Sequence, residues 1–226
     1  MGAFRGVGFD LDGTLFDHRG SAAAGLSAFL RVLNVEPTPA AHRAWFAAED
    51  EQFERWRSGQ ISFAEQRRER LRTVLAFLGL TPPNDPSQLD ELFEVFLDAY
   101  RVEWRAFPGS LDLLNDLHAS GYRVGLLTNG IEEQQLDKLR HTGLADAFDV
   151  VCVSENIGAQ KPDPRAFRAL ADGLGLTPPE CLFVGDSVAH DVEGARAAGM
   201  GALLVNRYAR DATSITKDVY TGLART

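Results

Sequence analysis

Five short runs of apolar, β-prone residues stand out along the chain: Phe4–Phe9, Tyr122–Leu127, Phe148–Val153, Cys181–Val184 and Ala202–Val205. Each is nearly continuous rather than alternating, the pattern of strands covered on both faces. Helical spacing flanks the last four, as in Leu111, Leu114 and Leu117 ahead of the second run, or Phe167, Leu170 and Leu174 ahead of the fourth. Strands alternating with helices predict an α/β fold built on a parallel, doubly wound sheet.

The interval from Asp17 to Arg105 breaks that rhythm and holds no convincing strand. Leu26, Phe29, Leu30 and Leu33 form one amphipathic stripe. Leu71, Val74, Leu75 and Leu78 form a second, preceded by Ser62-Phe63-Ala64-Glu65, a helix-start signature. Leu89, Leu92, Phe93, Phe96, Leu97 and Tyr100 form a third, at i, i+3, i+4 spacing. Thr81 to Ser87 is a proline-rich break, and Phe107-Pro108-Gly109 marks a return to the sheet-forming part. The expected division is a core of residues 1–16 and 106–226 with a helical domain of residues 17–105 inserted after the first strand. Aromatic residues at helical spacing are expected to form that insertion's core, and the mixed charges from Glu49 to Arg72 a solvated helix face.

At 226 residues the chain has room for a core domain plus a smaller insertion. A net charge of -9 argues against binding nucleic-acid polymers or anionic membranes. A small anion is still admissible, because a metal ion and one lysine can reverse the local field. Cys152 and Cys181 show no metal-ligand spacing and are expected to be reduced and buried. Early carboxylates rule out a signal-peptide pattern, no run reaches membrane-spanning length, and Gly6 spoils the myristoylation pattern of the Met1-Gly2 start. A cytoplasmic protein, monomeric or homodimeric, is expected.

Four segments carry candidate chemistry. The first strand runs into Asp10-Leu11-Asp12-Gly13-Thr14, placing two carboxylates where doubly wound sheets bind ligands. The same residues also make a polar turn; a calcium loop is excluded, since the later ligands of that pattern do not follow. Thr128-Asn129-Gly130 ends another strand with a hydroxyl and an amide suited to phosphate oxygens, though this is also good turn chemistry. Lys161-Pro162-Asp163-Pro164 sets a lysine just before a helix start, which favours an anion and equally suits an exposed lysine. Gly185-Asp186-Ser187 ends a buried strand, and Asp191 follows at a helix start, where it could serve as a mere cap. If the strands before Asp10 and Asp186 are neighbours, the two carboxylates need a cation between them, and oxygen ligands suit magnesium better than zinc. The small residues from Gly194 to Gly199 would let a helix approach the sheet closely.

Taken together and in this order, the segments resemble the four motifs of the haloacid dehalogenase superfamily, over essentially the whole chain and with a helical cap after the first strand. The resemblance implies a Rossmann-like core carrying a helical-bundle cap. It implies Asp10 as nucleophile forming an aspartyl-phosphate, and Asp12 as the acid and then the base of the reaction. Magnesium would be held by Asp10, the Asp12 backbone carbonyl and Asp186. Thr128 and Lys161 would hold the phosphoryl group, with Gly13 and Asn129 beside it, while Ser187 and Asp191 would support the lysine or the metal from behind. His190 stands where many relatives carry asparagine, and a structural or solvent-facing role is expected for it.

Dehalogenases of the superfamily lack the second acidic residue of the first motif, so Asp12 favours phosphate chemistry. Phosphonate cleavage needs a cap lysine, whereas the lysines here are Lys138, Lys161 and Lys217. A phosphosugar mutase and a non-catalytic phosphate-binding protein are weaker alternatives. The expected substrate is a small phosphorylated metabolite. Glu133-Gln134-Gln135 and Thr142-Gly143-Leu144 resemble the nucleotidase-like branch and suggest a nucleoside monophosphate, with phosphoglycolate or a sugar phosphate as the alternative. His18 and Arg57 are candidates to face the substrate.

Overall fold

A computed structural model describes residues 4–209 and 214–224. The Met1-Gly2 start lies outside the described residues. Five strands form one sheet: β1 (Gly6–Phe9), β2 (Arg123–Thr128), β3 (Val150–Val153), β4 (Cys181–Gly185) and β5 (Gly201–Leu204). Their order is β3-β2-β1-β4-β5, and every pairing is parallel. This is the Rossmann-like α/β sheet that the apolar runs predict, each strand displaced from its run by no more than two residues. The first strand in the chain lies at the centre, with Phe9 level with Leu126 of β2 and Val184 of β4. Whatever follows β1, β2 and β4 must therefore emerge side by side.

The sheet is covered by α5 (Ser110–Ala119), α6 (Glu132–His141), the short α7 (Ser154–Ile157), α8 (Pro164–Gly173), α9 (Glu193–Ala198) and α10 (Ile215–Leu223), with helices on both faces. Close packing explains the glycines in the strands. A Cβ on Gly8 would lie 2.5 Å from Leu170 Cδ2, and one on Gly125 2.6 Å from Leu170 Cδ1. Larger residues there would lift α8 off the sheet, whose core contains Phe167, Leu170, Leu174 and Phe183. The small residues of α9 serve a second contact besides the sheet. A Cβ on Gly194 would meet the Phe167 ring at 2.5 Å, so α9 nests against α8 as well.

The chain separates into two compact units, one reaching to His18 and resuming at Trp104, the other spanning Arg19–Glu103. Departure and return run side by side in the first unit, where Asp17 N–H donates to Arg105 O (3.0 Å) and Phe107 N–H to Leu15 O (2.8 Å).

The second unit is helical: α1 (His18–Val32), α2 (Pro39–Arg57), α3 (Phe63–Phe77) and α4 (Pro86–Val102). Thr38, Ser62 and Asp85 cap the last three, and Pro39 and Pro86 occupy first-turn positions. The Glu65 carboxylate, rather than closing a capping box, takes Arg68 (3.1 Å) and Arg72 (2.6 Å). Aromatic side chains form the interior as expected, with Trp45 against Phe96 at 4.3 Å between ring centres and Phe29 against Phe96 at 6.0 Å.

The Glu49–Arg72 stretch departs from the solvated face predicted for it. Glu49 and Arg70 are both buried and ion-paired at 2.5 Å, and Arg70 also donates to Gln66 Oε1 at 2.9 Å. The guanidinium lies 5.3 Å from the Trp45 ring centre and 5.4 Å from those of Phe53 and Phe93. A planar, weakly hydrated cation tolerates such an aromatic cage better than an ammonium would. Glu49 and Gln52 share a helix face with Ala41, Trp45 and Ala48, so two of the five buried residues of α2 are polar and the stripe escapes a hydrophobic count. Arg70→Met should strand the Glu49 carboxylate and cost about 3–5 kcal/mol in urea unfolding. The double variant Glu49→Leu/Arg70→Met should recover most of that loss. A single variant as stable as the parent would contradict the pairing.

Candidate active site

The site grows from the ends of the three central strands. Asp10 is the first residue beyond β1, fixed by its N–H to Val184 O (2.9 Å). The chain then folds back on itself: the N–H groups of Thr14, Leu15 and Phe16 all converge on Leu11 O, and Gly13 N–H donates to Phe16 O. Gly13 has φ +91°, and a Cβ there would lie 2.2 Å from Asp186 Oδ2. Glycine thus serves both the turn and the room for a neighbouring carboxylate. Thr14 Oγ1 donates to Asp10 Oδ2 at 3.2 Å.

Lys161 Nζ donates to Asp10 Oδ1 at 2.5 Å and to Asp191 Oδ1 at 2.7 Å, all three groups being buried. Asn129 positions this lysine: its amide donates to Lys161 O (3.0 Å) and accepts from Lys161 N–H (2.8 Å). The amide expected beside the phosphoryl group therefore grips the Lys161 backbone. Asp186 follows β4 and is open to solvent. Asp191 accepts Ser187 N–H at 2.9 Å, and a Cβ on Gly185 would fall 2.3 Å from Asp191 Oδ2. Ser187 Oγ accepts His190 N–H at 3.2 Å and lies 3.0 Å from His190 Nδ1, so His190 belongs to the turn that carries Asp191.

Thr128 ends β2, buried, and its Oγ1 accepts from Gln135 Nε2 at 2.5 Å. The same Nε2 lies 3.0 Å from Asp12 Oδ2. Lys138 Nζ donates to both Asp12 oxygens, at 2.7 and 2.9 Å, and is buried. His18 Nδ1 is 4.0 Å from Asp12 Oδ1. Neither Gln135 nor Lys138 was expected at the site. Their only sequence signal is that they fall on the same face of α6 as Leu139, inside a segment so charged that nothing marks which face is buried. Arg57 lies on α2, in the helical unit, paired with Glu54 at 3.2 Å.

Electrostatics divide the carboxylates into two kinds. Asp10 is pushed up to about 8 by burial, with Asp191 and Asp186 adding repulsion against the pull of Lys161. Although part of Asp186 meets solvent, its carboxyl is pushed up to about 6 by desolvation at the crowded strand end and by the charge of Asp191. Burial acts on Asp12 in the same sense and is the largest single influence, yet Lys138, His18 and Gln135 together outweigh it and hold this carboxyl below its usual range. Lys161 is shifted upward: burial opposes its charge, and Asp10 and Asp191 more than offset that.

Asp10, Asp12, Asp186 and Asp191 face the ammonium groups of Lys138 and Lys161, a surplus of negative charge. Oxygen atoms of Asp10, Asp186 and Asp191 all lie within 4.8 Å of one another, a set that can hold a metal ion. Crowded, oxygen-only donors with excess charge fit a hard divalent cation.

Residues 4–199 match the profile of the haloacid dehalogenase-like hydrolases, and the chain belongs to that family. It is 34% identical over 207 residues to a phosphoglycolate phosphatase of Salmonella typhi, covering 86% of this chain and 78% of that one. It is 38% identical over 122 residues to a phosphoserine phosphatase of Thermus thermophilus, covering 54% of this chain and 49% of the relative. The chain thus spans about half the length of that relative, as it does for other curated relatives it matches (58% and 45%). The HAD-hydrolase YfnB of Bacillus subtilis, solved bound to magnesium, shares the fold with a TM-score of 0.82 and 23% identity, over 99% of this chain and 100% of that one.

The raised carboxylates give a signed pH dependence. Their contribution to folding is fully present below the unfolded value of 3.8 and is lost as pH rises through about 6 for Asp186 and about 8 for Asp10. With a chelator present, the stability of Asp10→Asn relative to the parent should therefore increase from about pH 5 to about pH 9 in thermal melts. A difference independent of pH would contradict the crowding.

Proposed function

We propose that the protein is a phosphatase that hydrolyses a small phosphate monoester through an aspartyl-phosphate on Asp10. The observation that carries the reading is the pairing of two unlike carboxylates, two residues apart. Asp10 is buried against Lys161 and the acidic cluster, while Asp12 is held by separate donors on α6. One carboxylate to attack and one to move the proton is the division of labour this reaction requires.

Asp10 Oδ would attack phosphorus as the bond to the ester oxygen breaks, and Asp12, having taken a proton from the incoming monoanionic ester, would protonate the departing alkoxide. Asp12, now ionised, would take a proton from the water that cleaves the aspartyl-phosphate, which restores both aspartates. Lys161 and Thr128 would bind the phosphoryl oxygens, and Asn129 would keep Lys161 in register. Asp10, Asp186 and the Asp12 backbone carbonyl would hold a magnesium ion, with Asp191 behind them. When bound, the ion supplies positive charge against the phosphoryl oxygens and the crowded carboxylates.

The names of the relatives favour a small, non-nucleotide substrate over the nucleoside monophosphate suggested by the α6 sequence. The 34% identity over 86% of the chain makes phosphoglycolate the first compound to assay. We assign leaving-group selection to the helical unit. Among the described residues no helix is long and apolar enough to cross a membrane.

A panel of phosphorylated metabolites, assayed for phosphate release with magnesium and with a chelator, tests the reading. Turnover should require the ion, and Asp10→Asn should abolish it, a fall of at least about 10⁴-fold. Full activity in that variant would overturn the nucleophile assignment.

A further inference from the structure

The proposed chemistry uses Asp10, Asp12, Thr128, Lys161 and the acidic cluster, and leaves one buried cation without a task. Lys138 is 4% exposed at its side chain, on a helix whose mean character is strongly polar. An ammonium is not buried without a partner that compensates its lost hydration. Its partner is Asp12, both of whose carboxylate oxygens accept from Nζ, at 2.7 and 2.9 Å. Gln135, one helical turn earlier on α6, donates Nε2 to Asp12 Oδ2 at 3.0 Å and to Thr128 Oγ1 at 2.5 Å. Residues three apart on a helix share a face, so the two donors move as one rigid group. The Lys138 ammonium also lies 5.0 Å from the centre of the Phe16 ring, whose backbone closes the turn containing Asp12.

Asp12 sits in a loop, and two bonds through its side chain separate its carboxylate from that backbone. A loop alone leaves such a group free to rotate, whereas donors on a helix fix both its oxygens. We propose that Lys138 and Gln135 are positioning residues that aim the Asp12 carboxyl group at the departing ester oxygen, so that α6 and not the loop determines how well Asp12 transfers its proton. The proposal rests on the phosphatase reading and deepens it. During phosphoryl transfer the Asp10 Oδ–P bond forms and the P–O ester bond breaks. Asp12 rests as a carboxylate, so its proton enters with the substrate: a monoanionic ester hands it to Asp12, and it passes on to the ester oxygen, restoring the carboxylate that Lys138 is already placed to stabilise. In the second step that carboxylate takes a proton from water as the water oxygen bonds to phosphorus and Asp10 is released. No further reactant is needed.

The role has a signature that loss of folding would not produce. An alkyl phosphate leaves as a strongly basic alkoxide and needs the proton, whereas p-nitrophenyl phosphate leaves as a weakly basic phenolate and hardly does. kcat/KM reports the step that expels the leaving group, so it separates the two. For Lys138→Met we expect kcat/KM on the best alkyl substrate to fall about 100-fold, with a fall of less than about tenfold on p-nitrophenyl phosphate. Gln135→Leu should show the same selectivity to a smaller degree, and serves if Lys138→Met does not fold by circular dichroism. Equal losses on both substrates, or no loss on either, would overturn the proposal. Asp10→Asn, measured alongside, separates the two failures. If it keeps releasing phosphate, the phosphatase mechanism falls. If it is inactive while the selectivity is absent, only the positioning role falls.

Discussion

Like charges resist being brought together, and here Asp10, Asp186 and Asp191 are brought to one end of one sheet with their oxygens within 4.8 Å. The parallel register of β1 and β4 forces the encounter, since Phe9 lies level with Val184, Asp10 is the first residue beyond β1, and Asp186 is the first beyond β4. Gly13 and Gly185 make room for it, because a side chain at either would occupy the space of the Asp186 or Asp191 carboxylate. Lys161 offsets part of the repulsion by bridging Asp10 and Asp191. The remainder is negative charge that a divalent cation held by these carboxylates would offset.

Asp12 answers to a different set of forces. Two residues from Asp10 in sequence, it is served by α6, a helix that the chain reaches only after building the whole helical unit and β2. Separation of the two environments keeps the two carboxylates chemically distinct, one crowded by negative charge and one held by a lysine. The same logic recurs in the helical unit, where Arg70 compensates a buried Glu49 inside an aromatic cage. In both places a cation on one helix fixes a carboxylate supplied by another segment.

Much of this was legible in the sequence because the strands are buried on both faces, and continuous apolar runs such as Cys181–Val184 leave no ambiguity of period. The stripes in α1 and α4 were legible for the complementary reason, having a largely apolar face, and in α3 Leu71, Val74 and Leu75 carry the period past the buried Gln66 and Arg70. The α2 helix was not, since Glu49 and Gln52 lie on its buried side and blur the period. The four motifs were visible because strand ends bearing aspartate, threonine or glycine are chemically distinctive. Lys138 and Gln135 were invisible as site residues: in α6 they look like two more polar groups on a solvated helix, and only tertiary packing turns them inward. An amide at a strand end can serve either a ligand or the backbone, and in Asn129 its two polar atoms match the N–H and C=O of Lys161.

The most direct test of the account is to catch phosphorus on the chain. The protein, with magnesium, would be mixed with p-nitrophenyl phosphate in the Asp12→Asn variant, where attack needs no acid but hydrolysis of the adduct lacks its base. After an acid quench, reduction with borohydride and peptide mass spectrometry, the account predicts conversion of Asp10 to homoserine through its acyl phosphate. Release of phenolate without any adduct at Asp10, or an adduct on another residue, would contradict it.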